Sequence, residues 1–365
     1  MTKDAPSPFS GYGARALLPE GFRDLMPPWA EHEARLTDIL TVTFAAHGYD
    51  RVAPPLVEFE ESLDGAGLAP TLASGLTSGA SRRFRLLDPA SNRMMAVRND
   101  MTLQMARLAA TRLADRPRPL RLSYAGHVMR VRGSQLRPQR QFRQAGVELI
   151  GSSSREAECE VIALAVDAAQ AAGLAGLSLD LTMVGFVPAL AEGLDLSGEQ
   201  TAILREALDA KDVGALEALP DRARTLGAGV LQASGIAGPA LDRLAHLDLP
   251  DRAAGVARDL AALVDRVGQD VSDVVLTVDP CEMRGFEYKS GAAFSLFAQD
   301  VRGAVCRGGR YLTPHLDGES EPAVGFSLYL DSMLQGLAPP GPPDKVYVPF
   351  GTPRAEAQAL RDRGL

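Results

Sequence analysis

The sequence predicts an α+β fold: a mixed, mainly antiparallel sheet flanked by helices, with an inserted helical subdomain. Three observations predict it. Up to about residue 186, segments with period-two alternation are interleaved with segments of helical period. From about 187 to 268 the chain becomes rich in Ala and Leu, with helical periodicity interrupted by Gly and Pro. Alternating segments then return. The expected organisation is a disordered lead-in at 1–17, a core formed by 18–186 and 269–338, a helical insertion at 187–268, and a tail at 339–365.

Taken in order, Leu36, Ile39, Leu40 and Phe44 keep helical spacing between Trp29 and His47, and Gly48 stops that helix. Tyr49 to Val52 reads as a strand ended by Pro54-Pro55. Gly65 to Ser81, rich in Gly, Ser and Thr, reads as a loop. Arg82 to Leu87 and Met94 to Arg98 read as a hairpin. A helix from Thr102 to Leu113, a strand from Leu120 to Tyr124 and a strand from Gln141 to Ile150 follow. Next come a helix from Arg155 to Ala172 and a strand carrying Leu177, Leu179, Leu181 and Met183. After the insertion, strands are expected at Val271 to Val278, around Phe286 to Phe297, and at Val324 to Leu328. Pro339, Pro340, Pro342 and Pro343 form a linker. Beyond it a strand at Val346 to Phe350 and a helix from Pro353 are expected, with Thr352 as N-cap.

Composition narrows the function. With 46% apolar and 23% charged residues the bulk of the chain folds, and no apolar run is long enough to span a membrane. The first residues lack a signal-peptide pattern, so a cytoplasmic protein is expected. Cys159, Cys281 and Cys306 are odd in number and widely spaced, and the five histidines form no ligand cluster. Neither a disulfide nor a metal site is expected, and no cofactor is implied.

The net charge of −8 conceals an asymmetry. Between Arg82 and Arg143 there are 15 arginines and no lysine against Asp88, Asp100 and Asp115, a net +12 that leaves −20 for the rest. A bias towards arginine explains why only 4 of the 38 basic residues are lysine, but not why acids are missing here. We therefore read the stretch as suited to a pocket that meets phosphate, carboxylate or RNA.

The strand from Gln141 to Ile150 is the most informative element. Arg143, Ala145, Val147 and Leu149 share one face; Phe142, Gln144, Gly146 and Glu148 share the other. Two polar side chains four residues apart, with a glycine between them, leave open space above the backbone for a small polar ligand.

Four segments together resemble the catalytic core of class II aminoacyl-tRNA synthetases, specifically the histidyl one. LPEGFRDLMP and the following helix resemble the first motif and its dimer-forming helix. RLSYAGHVMRVRGSQLRPQRQFRQAGVELIG resembles the second motif, and MRGFEYKSGAAF the segment specific to histidyl enzymes. RGGRY followed by PAVGFSLYLDSML resembles the third. The resemblance runs from about Leu18 to Leu334 and implies a class II synthetase-like core that dimerises.

It also implies a histidine pocket. Asp100 and Thr102 fall where the family holds the ligand's α-amino group, which needs an anionic acceptor. Arg130 falls on the second-motif arginine that faces the ligand carboxylate. Gln144 and Glu148 fall on the strand residues that hold the amino acid and its imidazole. Arg284, Tyr288 and Tyr311 fall on further pocket positions.

The nucleotide side departs from the pattern. The third-motif arginine is replaced by Ser332, a nearby glycine by Tyr329, and the acidic residue that reads adenine by Arg132. Adenylate formation needs cations on the phosphates, so aminoacylation is not expected. On the amino-acid side, a family tyrosine is replaced by Lys289. No catalytic residue is assigned; Glu282 and Glu287 face no implied nucleophile or leaving group. The 22 residues beyond Pro343 amount to about one βα unit where histidyl synthetases carry an anticodon-binding domain.

This combination is similar to the regulatory subunits of ATP phosphoribosyltransferase, the first enzyme of histidine biosynthesis. Asp100 to Gln104 and the QLRPQRQFRQ run are also similar to that family. The resemblance implies a non-catalytic subunit needed for activity and histidine feedback of a short-form catalytic subunit. Its implied partners are that subunit, a second copy of itself and L-histidine, with no membrane and no nucleic acid. The competing readings are a histidyl-tRNA synthetase-like enzyme and an RNA-binding paralogue, the latter motivated by the +12 stretch.

Overall fold

The structure, a computed structural model, describes residues 17–63, 83–133, 137–283, 289–314, 319–339, 341 and 345–364. Helix α1 (Trp29–Ala46) buries Leu36, Leu40 and Phe44 along one stripe. Short strands β1 (Asp50–Arg51) and β2 (Val57–Phe59) follow, then β3 (Arg85–Leu87) and β4 (Met94–Val97). Helix α2 (Thr102–Ala110) leads into two ten-residue strands, β5 (Leu120–Met129) and β6 (Gln141–Ile150). Ser154 caps α3 (Arg155–Ala171), accepting the Ala157 backbone N–H at 3.2 Å.

Strand β7 (Leu177–Met183) precedes a mostly helical stretch: α4 (Phe186–Gly193), α5 (Gly198–Ala210), α6 (Asp221–Gln232), the two-residue strand β8 (Gly235–Ile236), α7 (Ala237–Ala245) and α8 (Asp251–Asp270). A capping box between Ser197 and Gln200 starts α5. The chain then returns through β9 (Val274–Val278), β10 (Lys289–Phe297), β11 (Cys306–Pro314) and β12 (Ser320–Tyr329) to the short helix α9 (Leu330–Met333) and the C-terminal α10 (Arg354–Asp362).

Among the described residues the strands form a nine-stranded sheet in the order β1-β5-β6-β12-β11-β10-β7-β9-β8 and a small sheet β2-β4-β3. The large sheet is antiparallel except where β1 meets β5 and β7 meets β9. On one face Ala145, Val147 and Leu149 of β6 pack with α1, α3 and the second half of α8. The opposite face gathers Tyr124, Phe142 and Tyr311 with Met101, Leu103 and Met105 at α2. A further core, around Phe186, Leu190, Leu204 and Val230, holds the helices after β7 together. Helix α8 joins the two regions: Ala253 lies in the helical core, and Leu260 to Val267 pack beneath the large sheet.

Several expectations need correction. The helix expected to reach Leu113 ends at Ala110, and the strand expected to end at Tyr124 runs to Met129, because all ten residues of β5 find partners on β6. Strand β11 was not expected; Gly308 and Gly309 break the alternation that would have marked it. Val346 to Phe350 form no strand, for no strand among the described residues offers them a ladder and Pro349 lacks a donor; Tyr347 and Phe350 are exposed. Thr352 does not cap α10: its hydroxyl donates to the Pro349 carbonyl at 2.8 Å, and Pro353 holds the cap position. The loop expected at Gly65 to Ser81 and most of the lead-in lie outside the described residues.

The charge reading also changes. Arg85 pairs with Glu60, Arg93 with Glu61, Arg107 with Glu58, Arg118 with Glu321, Arg121 with Glu160 and Arg143 with Glu33. None of these glutamates lies between residues 82 and 143, so the fold supplies from elsewhere the acids that the stretch lacks. Arg118 and Arg121 are bidentate, with both bonds at 2.7–2.9 Å in each case. Six of the fifteen arginines of the +12 stretch are thus held in cross-element ion pairs, which neutralise half of its net charge.

Candidate functional site

The site lies on the face of the large sheet opposite α1 and α3, where the alternation of β6 places Gln144 and Glu148. Both are buried, at 1% exposure each, so their polar atoms must find partners within the fold. Gln144 does so completely. Its amide donates to Asp100 Oδ2 at 2.8 Å and Ser327 Oγ at 2.7 Å, and its carbonyl accepts the Met101 backbone N–H at 3.1 Å. Asp100 Oδ1 in turn accepts the Thr102 backbone N–H at 2.7 Å. Gln144 thereby ties the start of α2 to β6 and β12 and fixes the Asp100 carboxylate.

Glu148 lies flat across its neighbour. Gly325 of β12 is in register with it, and a Cβ at Gly325 would stand 1.7 Å from Glu148 Oε2. Only glycine permits this carboxylate position. The Tyr311 hydroxyl donates to Oε2 at 2.6 Å, and the Tyr124 hydroxyl lies 3.5 Å from Oε1 and 2.9 Å from Ser327 Oγ. Burial raises the Glu148 pKa, opposed by the Lys289 ammonium and by hydrogen bonds from Tyr311 and Thr102. Burial lowers that of Lys289, opposed by Glu148 and Asp100. Each charge thus supports the other.

The space expected above Gly146 is filled. A Cβ there would stand 2.6 Å from the Tyr124 hydroxyl, and Tyr124 is in register with Gly146 on the neighbouring strand. The glycine makes room for a buried tyrosine, and not directly for a ligand. Tyr124 and Ser327 are members of the site that sequence reasoning missed. The available signal was a large aromatic on an adjacent strand facing a glycine.

Asp100, Thr102, Gln144, Glu148 and Tyr311 therefore form one bonded cluster. Arg130 belongs to a neighbouring stack. Its guanidinium lies 4.5 Å over the Phe142 ring, Phe142 meets Tyr329 edge-on at 6.3 Å, and Arg137 covers the other part of Tyr329 at 3.8 Å. Arg137 also donates to the Ala304 carbonyl at 2.6 Å. Arg284 and Tyr288 lie outside the described residues.

Beyond Tyr329, Asp331 and Ser332 are buried, and neither finds a side-chain hydrogen-bond partner among the described residues. Burial raises the Asp331 pKa despite the opposing charges of Arg137 and Arg130. A cleft of about 690 Å³ opens here, lined among others by Arg23, Trp29, Gln139 and Asp331. This end offers stacked guanidinium groups and a buried acid. Among the described residues, Arg130 and Arg137 are both engaged in ring stacking at this end.

The model of the histidyl-tRNA synthetase family matches residues 21–333. Over 365 residues, all of this chain and 90% of the relative, the sequence is 47% identical to an ATP phosphoribosyltransferase regulatory subunit of Rhodospirillum centenum. It is 50% identical to one from Paramagnetospirillum magneticum, covering 96% of this chain and 89% of that protein. A solved ATP phosphoribosyltransferase regulatory subunit/histidyl-tRNA synthetase from Bacillus halodurans superposes with a TM-score of 0.74 at 28% identity, covering 88% of this chain and 83% of that one. No described helix is long and apolar enough to cross a membrane.

Proposed function

Because the chain belongs to the ATP phosphoribosyltransferase regulatory subunits, built on the histidyl-tRNA synthetase fold, we propose that it regulates a short-form catalytic subunit without catalysing a reaction itself. In this reading it works in the cytoplasm, as a homodimer assembled with that subunit, and supports its activity in the first step of histidine biosynthesis. L-histidine is the ligand of the cluster at Gln144 and Glu148. Asp100 receives the ammonium, Arg130 faces the carboxylate and Glu148 faces the ring, with Arg284, Tyr288 and Tyr311 completing the pocket.

The carrying observation is the contrast on β12: Gly325 leaves room for the Glu148 carboxylate, whereas Tyr329, stacked under Arg137, fills the end to which the family resemblance assigns the nucleotide. An amino-acid site without activation chemistry suits a sensor. If histidine favours one arrangement of the complex, it shifts the partner's activity by that difference in affinity alone.

Co-expression with a short-form catalytic subunit tests the proposal. A stable complex whose phosphoribosyl transfer exceeds that of the catalytic subunit alone, and falls with added histidine, is expected. Failure of two well-folded proteins to associate would overturn it. Histidine-dependent exchange of pyrophosphate into ATP, expected to be absent, would point to a synthetase instead.

A further inference from the structure

Gly146 of β6 sits between two hydroxyls. It is in register with Tyr124 on β5 and with Ser327 on β12. With no Cβ in the way, the Tyr124 hydroxyl crosses the strand and lies 2.9 Å from Ser327 Oγ, both residues buried. This contact joins the two ends of the cluster. On one side Ser327 Oγ meets the Gln144 amide at 2.7 Å, and that amide holds Asp100. On the other, Tyr124 faces Glu148 Oε1.

One backbone group sets the direction of the protons along this chain. The Met101 N–H can only donate, so the Gln144 atom that it meets at 3.1 Å is the carbonyl oxygen. The amide nitrogen is then the atom that faces Asp100 Oδ2 and Ser327 Oγ, and its two protons go to those oxygens. Ser327 accepts from Gln144, and among the described residues Tyr124 is the remaining partner for its own proton. Tyr124 in turn accepts from Ser327 and keeps its proton to give. The Phe326 carbonyl at 3.4 Å and Glu148 Oε1 at 3.5 Å are its acceptors, and the Thr102 hydroxyl stands beside the same phenol and carboxylate. With Tyr311 donating to Oε2 at 2.6 Å, each Glu148 oxygen faces a phenol donor. A carboxylate held in this way offers its remaining lone pairs to a further donor.

We propose that Ser327 and Tyr124 are positioning residues that carry the orientation fixed at Gln144 across Gly146 to Glu148, so that the pocket selects a ligand whose side chain brings an N–H donor. The proposal rests on the reading of the site as a histidine pocket. Both residues act through Glu148 and not by contact with the ligand. The two ends of the pocket, one for the ammonium and one for the ring, are thereby held by a single chain of hydrogen bonds.

Calorimetric titration at pH 8, above the value of about 7 to which burial raises the Glu148 pKa, tests this. The proteins are the native chain, Tyr124→Phe, which keeps the ring over Gly146, Ser327→Ala and the double variant, each checked for folding by thermal melting. The ligands are L-histidine and L-thienylalanine, whose five-membered ring carries no N–H and which is titrated by displacement of histidine. Each single variant is expected to bind histidine about tenfold more weakly, as loss of one buried hydrogen bond gives, and thienylalanine within about twofold of the native protein. The double variant is expected to lose about tenfold as well and not about a hundredfold, since either substitution already breaks the chain. Unchanged histidine affinity in Tyr124→Phe would overturn the proposal. So would equal losses for the two ligands, which mark a purely structural role, or multiplied losses in the double variant, which mark two independent ones. Should Ser327→Ala not fold, Tyr124→Phe decides through the two ligands. A folded native protein that binds no histidine would overturn the pocket reading itself, a separate failure.

Discussion

Strand β12 carries two sites four residues apart that treat their polar groups in opposite ways. At Gly325 the missing side chain admits a Glu148 carboxylate that Tyr311, Thr102 and Lys289 support. At Tyr329 a ring fills the surface, Arg137 lies on it, and Asp331 and Ser332 beyond it bury side-chain oxygens that find no hydrogen-bond partner among the described residues. The first arrangement holds buried carboxylates among hydrogen-bond donors, the groups that the proposed amino-acid ligand would meet. The second uses Arg130 and Arg137 in ring stacking and a carbonyl bond. In the proposed reading, recognition of an amino acid and its activation are separable on one fold, and four residues of one strand separate them.

Gly325→Ala should do most to erase the contrast. The added methyl group meets Glu148 at 1.7 Å and the Val147 carbonyl at 2.5 Å, and the latter is backbone that cannot swing aside. Histidine affinity should fall by more than about a hundredfold and stability by about 1–3 kcal/mol, read by calorimetry and thermal melting. Retained affinity would mean that Glu148 does not hold the ligand.

Gln144→Leu should come next. It removes the donor to Asp100 and the acceptor for the Met101 N–H, leaving buried groups unbonded at about 1–3 kcal/mol. An affinity loss of about ten- to a hundredfold is expected. A loss of stability with unchanged affinity would make Gln144 purely structural.

At the other end, Asp331→Asn should stabilise the fold. Burial raises the Asp331 pKa, so the folded chain binds this proton more tightly than the unfolded chain does. The ionised carboxylate therefore weighs against folding above its folded pKa, and the penalty vanishes as pH falls below the value near 3.9 of an unfolded aspartate. A gain of about 1–2 kcal/mol at pH 8, fading towards pH 4, is expected from denaturant melts. A loss at pH 8 would show that Asp331 chiefly balances Arg130 and Arg137.

Tyr329→Ala has the smallest expected effect on the ligand. Loss of its contacts with Arg137 and Phe142 should cost about 0.5–1.5 kcal/mol of stability, with histidine affinity changed less than about twofold. A large change in affinity would join the two ends into one site.

The legibility of these features followed the range of the interactions. Alternation along β6 is local, and it placed Gln144 and Glu148 on one face with the strand limits intact. Which side chain covers Gly146 depends on the pairing of β5, which a single strand does not reveal; Tyr124 occupies that space. The ion pairs of the arginine-rich stretch were hidden for the same reason, since Arg118 finds Glu321 some two hundred residues away. The tail shows the converse: β-prone residues at Val346 to Val348 form no strand without an edge to join. The fold class and family lay in four ordered motifs, which the family match spans.

The most direct test of a retained amino-acid site beside a lost activation site is calorimetric titration of the folded protein with L-histidine, without ATP. The account expects one saturable site per chain, abolished by Gly325→Ala and left in place by Tyr329→Ala. A folded native protein that takes up no histidine, or one that binds it only when ATP is present, would contradict it.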